Sequence, residues 1–449
     1  MGIRLKDLQF HRETPLFDHL SFEFATGALT VLTGDSGSGK STLLNLIAGF
    51  APMTYSGTIL LDNHDLSGAS MQVKAQQVGM LFQNPDQQFT MRTLSGELAF
   101  ALENLGLSAT AMIQRSKQAV ALGDTQALLN RDLQTLSGGE KQRAALTVLL
   151  AMNPPILLLD EPFASIDPVS RQQLITKLGR LRDAGKTIVI ADHDLRDYAG
   201  VADALVALKD GQLTRLPLTT LTTIPTQFDL TQANAATVSL LRFDQVVCAR
   251  NHQILVQAPT WQFNTGITTL TGANGSGKST LLRAMVQLHP YRGRMFLDSR
   301  RLRRTKKLYR TMTLAVQDAG KQFVTLTPAD ELAFGPALTP KVRKRQAAAL
   351  AYLGLTEKQT GSLYHLSEGQ KKMVQLIAML SLERTFLLLD EPFSGLDERA
   401  CAFFAAWIKE KAAKQAFLIV THRLAPLAGI SHQHVALADP PVTHSTGVT

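Results

Sequence analysis

Two short stretches carry glycine, lysine and hydroxyl residues at a spacing that suits phosphate: GDSGSGKST, Gly34 to Thr42, and GANGSGKST, Gly272 to Thr280. Gly34, Gly39, Lys40 and Ser41 satisfy G-x-x-x-x-G-K-[ST], as do Gly272, Gly277, Lys278 and Ser279, with Gly37 and Gly275 inside the two runs. Glycines at these places let backbone N–H groups curl around phosphate oxygens, and a helix opening at the lysine adds its positive end. Lys40 and Lys278 would reach the β- and γ-phosphates of a nucleoside triphosphate. Ser41 and Ser279 would offer hydroxyls to Mg²⁺, with Thr42 and Thr280 beside them.

A second pair of stretches supplies acids. ILLLDEPFASIDP, from Ile156, and FLLLDEPFSGLDE, from Phe386, each run through apolar residues to an Asp-Glu pair, Asp160-Glu161 and Asp390-Glu391. An aspartate at the carboxyl end of a strand completes a Mg²⁺ shell, and the following glutamate can orient and polarise the attacking water. Solvated loop acids are the bland alternative, and the phosphate loops upstream weigh against it.

Such groups need strands that end at the phosphates and helices that start there. ALTVLTG (Ala28 to Gly34) is a short β-rich run leading directly into the helical spacing of STLLNLIAGF. PILLLDEP and KTIVIADHD are further buried-strand signals, and Glu97 to Gln134 is mainly helical in pattern, most clearly Ala109 to Leu122. Strands alternating with helices imply an α/β fold with a mostly parallel sheet, here carrying an inserted helical subdomain. The whole arrangement occurs twice. Lys40 and Lys278 are 238 positions apart, Asp160 and Asp390 are 230 apart, and ELAF at Glu97 returns at Glu331. A unit this large is a duplicated domain and not a solenoid repeat. The expected organisation is a first nucleotide-binding domain over 1–215, a linker over 216–236, a second domain over 237–438 and a frayed tail over 439–449. The linker assignment rests on Leu216 to Ala236 being rich in Thr, Pro and Gln without helical periodicity.

Composition narrows the class. With 45% hydrophobic and 18% charged residues in 449, the chain is globular rather than disordered. Two cysteines cannot build a disulfide framework or a four-ligand zinc site, and a reducing cytosol fits best. MGIRLKDLQF has no long apolar run, so no secretory leader is expected, and no stretch approaches the roughly 18 apolar residues of a membrane span. The net charge of +9 is concentrated in Arg292 to Arg310. That run suits phosphates of nucleic acid or of anionic lipid, or is simply a solvated face. It lacks the interleaved aromatics of a base-stacking surface.

LSGGE at Leu136 to Glu140, lying between phosphate loop and LLLLDEP strand, resembles the signature of the ATP-binding cassette (ABC) family, and LSEGQ follows at Leu366. The resemblance covers nearly the whole chain except linker and tail, as two tandem P-loop NTPase domains. It implies that Gln83 and Gln317 sense Mg²⁺ and move with a transport partner, and that Asp167 and Asp397 form the D-loops. His193 and His422 match the switch histidine at the γ-phosphate. The same resemblance implies two ATP sites formed between the halves, Lys278 facing Ser137, Gly138 and Gly139, and Lys40 facing Ser367, Glu368 and Gly369. Glu368 replaces a signature glycine; it either repels the triphosphate or merely favours its own helix N-terminus. On the first reading Lys278→Ala costs more ATPase activity than Lys40→Ala, and equal losses would remove the asymmetry.

FQNPDQQ at Phe82 followed by ELAF resembles the ATPase subunits of energy-coupling factor (ECF) and cobalt-type importers, which take up vitamins or metal ions. That resemblance implies a peripheral subunit on the cytoplasmic face of the cell membrane, using ATP and Mg²⁺. Its expected partners are an integral membrane scaffold and a small substrate-capturing membrane protein, with no nucleic acid. Phe89, Met91 and Phe323 are candidate lining for a groove receiving a scaffold helix. A fused pair of this length resembles importers linked to thiamine or its pyrimidine precursor. The alternatives are a tandem-ABC translation factor on the ribosome and the fused ATPase of another ABC importer. Ribosome-recycling relatives need a cysteine-rich domain, and DNA-repair relatives need long coiled coils; neither is legible here. A binding switch without hydrolysis would lack Glu161 and Glu391, and both are present.

Overall fold

The structure, a computed structural model, describes residues 2–11, 15–50, 53–65, 67–163, 166–222, 239–250, 253–335 and 338–437. The chain forms two compact units, Met1–Thr226 and Gln227–Thr449. The first unit is built on a six-stranded sheet in the order Gln212–Leu216, Ala204–Lys209, Leu29–Thr33, Thr187–Ala191, Ile156–Asp160, Val78–Leu81. The last five are mutually parallel and only the Gln212–Leu216 edge runs antiparallel. Leu29–Thr33, Ile156–Asp160 and Thr187–Ala191 are almost wholly buried because helices cover both faces, which is why they read as continuous apolar runs and not as alternations. A second, antiparallel sheet of Ile3–His11, Pro15–Phe24, Ser56–Leu61 and His64–Asp65 closes one side with Phe17, Phe24 and Leu43 in a shared core.

Helices Leu94–Asn104, Ala109–Gly123 and Gly138–Met152 pack on one another through their own core of Leu98, Leu102, Val120 and Val148. They are the inserted helical subdomain. Each is opened by a hydroxyl cap, Thr93, Ser108 and Ser137, the last in a full capping box with Glu140.

The second unit repeats the plan. Its parallel sheet runs Met312–Ala315, Phe386–Asp390, Ala416–Val420, Ile267–Thr271, Gln433–Ala436, beside an antiparallel sheet containing Ser239–Arg250 and Arg292–Leu297. Its first subdomain helix is short, Pro328–Ala333, because ELAFGP places a glycine (Gly335, φ +111°) and a proline where ELAFALEN continues the helix. Cys248 and Cys401 both lie in this unit as buried free thiols.

The stretch expected to link the domains begins inside the first unit. Leu216 ends a strand, and a short helix, Thr219–Thr222, buries Leu221 in the first unit's core. Residues 223–236 and the 439–449 tail lie outside the described residues. Among the described residues no helix is long and apolar enough to cross a membrane.

Candidate active sites

Each phosphate loop joins an inner parallel strand to a helix, Lys40–Ala48 in the first unit and Lys278–Met285 in the second. Gly39 and Gly277, at φ +101° and +92°, cap these helices in the left-handed region. A Cβ on Gly34 would sit 2.4 Å from the Leu208 carbonyl oxygen, so the loop closes only with glycine there. Lys40 Nζ donates to the carbonyls of Gly34 (2.8 Å) and Asp35 (3.1 Å), and Lys278 Nζ to those of Gly272 (2.7 Å) and Ala273 (2.9 Å). The ammonium groups are thus held in the concavity of their own loops. Ser38 Oγ and Ser276 Oγ are buried in these loops without a hydrogen-bond partner. They were not among the expected site residues, although their repeat at one position of both loops was visible.

The adjoining strand ends bring Asp160 and Glu161, and Asp390 and Glu391, beneath the loops, all four buried. Burial, then the charge of Glu161, pushes Asp160 up to about 7, while a hydrogen bond from Ser41 and the charges of Lys40 and His193 oppose this. Asp390 is raised by burial against a bond from Ser279. One carboxylate oxygen of each, Asp160 Oδ1 and Asp390 Oδ1, has no hydrogen-bond partner. Buried acids kept short of partners beside a serine hydroxyl suit a hard divalent cation whose remaining ligands come from phosphate. Among the described residues no cluster of three or more His, Cys, Asp or Glu could hold a metal by itself.

Glu161 and Glu391 adopt left-handed backbone conformations, φ +46° and +49°, which are costly for a non-glycine residue and turn the chain sharply at the strand end. Each is pinned by its own N–H to the neighbouring strand, Glu161 to Ala191 O and Glu391 to Val420 O, both 2.8 Å. The two acids then diverge. His193 Nε2 lies 3.0 Å from Glu161 Oε1. Burial would raise Glu161, but His193, Lys40 and a bond from Gln83 together hold it below the ordinary carboxylate range. In the second unit His422 Nε2 is 3.7 Å from Glu391 and turns to Asn274 Oδ1 at 3.1 Å, a phosphate-loop residue whose counterpart is Ser36. Burial and Asp390 leave Glu391 raised to about 7, although the His422 N–H donates to it at 3.1 Å.

The first unit therefore gathers Lys40, Ser41, Gln83, Asp160, Glu161 and His193 into one site. In the second, Lys278, Ser279, Asp390, Glu391 and His422 converge in the same way. Thr42, like Lys40 and Ser41, belongs to the loop helix, as does Thr280 in the second unit. Asp167 and Asp397 cap the next helices, accepting from Ser170 N–H (3.0 Å) and Ala400 N–H (2.7 Å).

The signature residues Ser137, Gly138 and Gly139, and Ser367, Glu368 and Gly369, open helices Gly138–Met152 and Glu368–Ser381. Glu368 pairs with Lys371 one turn on, at 2.8 Å, and Ser367 keeps its capping box with Gln370. The glutamate thus favours its own helix start, where negative charge is stabilised.

Both signature helices are tethered to the glutamine loops, by different residues. In the first unit Lys141 pairs with Asp86 at 2.5 Å and Gln142 donates to Glu161 O at 3.3 Å. In the second, the position of Gln142 holds Lys372, whose ammonium donates to Gln317 O at 2.5 Å. Burial pulls Lys372 down to about 8 against the attraction of Asp390 and Glu391. Lys372 escaped the sequence reading because a lysine in a helix of mixed charge looks solvated; only the register with Gln142 marks it. Glu97 and Glu331 have a similar local task. Glu97 Oε1 accepts the N–H groups of Thr90 and Met91, and Glu331 Oε2 accepts those of Val324 and Thr325, both at 3.1 Å. The ELAF stretch thus clamps the turn that follows each glutamine loop. Of the expected groove residues, Phe89 and Phe323 are partly buried against the cores, whereas Met91 is exposed.

A P-loop, a strand-end Asp-Glu pair with a histidine near the glutamate, and a serine-capped helix at the signature sequence, each present twice, define a nucleoside triphosphatase of the cassette type. The profile of the ABC transporter family matches residues 17–164 and 257–394, and the chain belongs to that family. It is an ATPase that binds ATP with Mg²⁺. A Bacillus subtilis protein, "Putative HMP/thiamine import ATP-binding protein YkoD", is 30% identical over 95% of this chain and 87% of its own length. A "Putative ABC transporter ATP-binding protein" of Methanosarcina acetivorans is 27% identical, covering 91% and 83%. The structure titled "Model of ribosome-bound archaeal Pelota and ABCE1" aligns with TM-score 0.74 at 17% identity over 97% of this chain and 77% of that one, a likeness of fold.

Proposed function

We propose that the chain is the ATP-hydrolysing subunit of an ECF-type membrane importer carrying a vitamin, with thiamine or its pyrimidine precursor as the first cargo to test. The observation that carries this reading is the pair of clamped turns after the glutamine loops. Beside them Met91, Val324, Leu326 and Phe334 are left exposed, the last three at 62%, 68% and 60%. Apolar side chains grouped next to a catalytic loop suit a partner helix. The similarity to a protein named for HMP/thiamine import supports the cargo.

In this reading Lys40 and Lys278 bind the terminal phosphates, and Ser41, Asp160 and Gln83, or Ser279, Asp390 and Gln317, would hold Mg²⁺. Bound Mg²⁺ supplies charge neutralisation at the phosphate oxygens. Glu161, ionised at neutral pH, accepts a hydrogen bond from the attacking water, and His193 holds that carboxylate in place. Glu391 and His422 occupy the same places in the second site, but Glu391, raised to about 7, is only partly ionised at neutral pH and has less contact with its histidine. Displacement of either glutamine loop by a partner would carry the signature helix with it through Lys141–Asp86 or Lys372–Gln317.

Tagging the chain, solubilising membranes gently and identifying the copurifying proteins tests this. Two small, highly hydrophobic proteins are expected, and thiamine should accumulate in cells in proportion to their expression. Recovery of ribosomal proteins with no membrane partner would overturn it in favour of a translation factor.

A further inference from the structure

The basic run of the second unit has no part in the ATP site. It forms the hairpin Arg292–Leu297 and Arg300–Arg301, the turn beyond it and the helix Lys306–Thr311. Nine residues between Arg292 and Arg310 are Arg or Lys, against one acid, Asp298. All nine are exposed, and among the described residues none forms an ion pair. The fold does not demand this. The corresponding stretch of the first unit, 56–76, has one lysine, Lys74, and two aspartates, Asp62 and Asp65.

The charges surround a recess. A cavity of about 740 Å³ is walled by Arg301, Arg303, Arg304, His289, Gln287 and Tyr291. Its wall is ordered. His289 Nε2 lies 3.0 Å from Ala249 O, and Gln287 donates to the Tyr291 hydroxyl at 3.0 Å. Leu288 in the wall and Tyr309 on the helix Lys306–Thr311 are 57% and 38% exposed. Phe296 is covered by the Arg242 guanidinium at 4.8 Å, so it offers no free face for stacking a base.

We propose that this face binds the phosphate headgroups of anionic phospholipids and lays the second unit directly against a membrane surface. Clustered, uncompensated Arg and Lys attract an anionic leaflet, and flanking leucine and tyrosine suit the headgroup boundary. A recess lined by guanidinium groups matches phosphate oxygens, which arginine bonds bidentately. A single-stranded nucleic acid would want an aromatic platform, and the recess offers only the half-buried Tyr291. The inference stands apart from the importer reading, since it concerns lipid and no membrane protein.

The test is sedimentation of the whole purified chain with protein-free vesicles, phosphatidylglycerol mixed with phosphatidylcholine against phosphatidylcholine alone. Binding is expected to the anionic vesicles only. Each arginine removed should weaken partition about fivefold, so Arg301→Gln, Arg303→Gln and Arg304→Gln combined should weaken it about 100-fold. A control combination, Lys341→Gln, Arg343→Gln and Lys344→Gln on an exposed helix elsewhere in the unit, removes equal charge and should change it little. Both combinations should leave soluble ATPase activity as it was, which also reports that they fold. No binding to anionic vesicles, or equal losses from both combinations, would overturn the proposal. So would tighter, arginine-dependent binding to RNA than to vesicles at equal salt. Failure to recover membrane proteins from cells, with vesicle binding intact, would count against the importer reading alone.

Discussion

A single carboxylate shows how the site is prepared for its ion. Asp160 is raised to about 7 by burial, whereas an unfolded aspartate titrates near ~3.9. Between those values unfolding releases a proton, so this residue's contribution to stability falls as pH rises, with the full penalty present above about pH 7. Asp160→Asn keeps the shape without the charge. In EDTA without nucleotide the variant should match the parent near pH 4 and be more stable at pH 8, by at most about 4 kcal/mol. It should also lose turnover at the first site. Thermal melts across pH check this, and a pH-independent offset between the two proteins would refute it. Lys372 is the converse case, a cation buried near Asp390 and Glu391. Lys372→Met removes the bonds its ammonium donates to the Val316 and Gln317 carbonyls and leaves those buried oxygens short of a donor, which should destabilise the second unit by roughly 1–3 kcal/mol. Lys372→Gln, the residue found in the first unit, can still donate to Gln317 O and should cost markedly less. Denaturant melts of the two variants separate a hydrogen-bonding role from mere packing, and equal losses would leave only packing.

At the scale of elements, the strands and helices that carry chemistry were legible because their signals are local. Ile156–Asp160 and Thr187–Ala191 read as buried strands from unbroken apolar runs, and Ala109 to Leu122 as a helix from its spacing. What stayed hidden depends on contacts between elements. The ELAF stretches were read as family markers, and nothing in their sequence tells that Glu97 and Glu331 reach back six or seven residues to clamp a turn. Their role yields a prediction at this scale. Glu331→Ala removes a carboxylate that takes two N–H bonds and the Thr325 hydroxyl at 2.9 Å. Hydrogen bonds to charged groups contribute about 1.5–3 kcal/mol, so amide exchange at Val324 and Thr325 should quicken by at least tenfold. ATP affinity should stay unchanged, because the clamp touches no phosphate residue. Exchange mass spectrometry with a nucleotide titration reads both, and unchanged exchange would mean that the turn is held by its packing.

For the molecule as a whole, the repeat was the strongest message in the sequence, and it dictated two units of one plan. One divergence between them, Glu368 in place of a signature glycine, was legible; that of the catalytic pairs was not, because it rests on contacts made by the fold, His193 with Glu161 in one unit and His422 with Asn274 in the other. Each unit also has separate hydrophobic cores, centred on residues such as Phe17 and Leu158 in the first and Phe243 and Phe404 in the second. Separate cores allow separate unfolding transitions. Ligand bound to a folded unit stabilises it by about 2.7 kcal/mol at a hundredfold excess over Kd, and the lysines that would hold the phosphates are one per unit. Calorimetry of the chain should therefore show two transitions, both raised by Mg²⁺ and ATP. Lys40→Ala should abolish the shift of one and Lys278→Ala that of the other, with the untouched transition still moving by several degrees. If either substitution cancels both shifts, nucleotide binding is shared between the units, and their stabilities cannot be treated as independent.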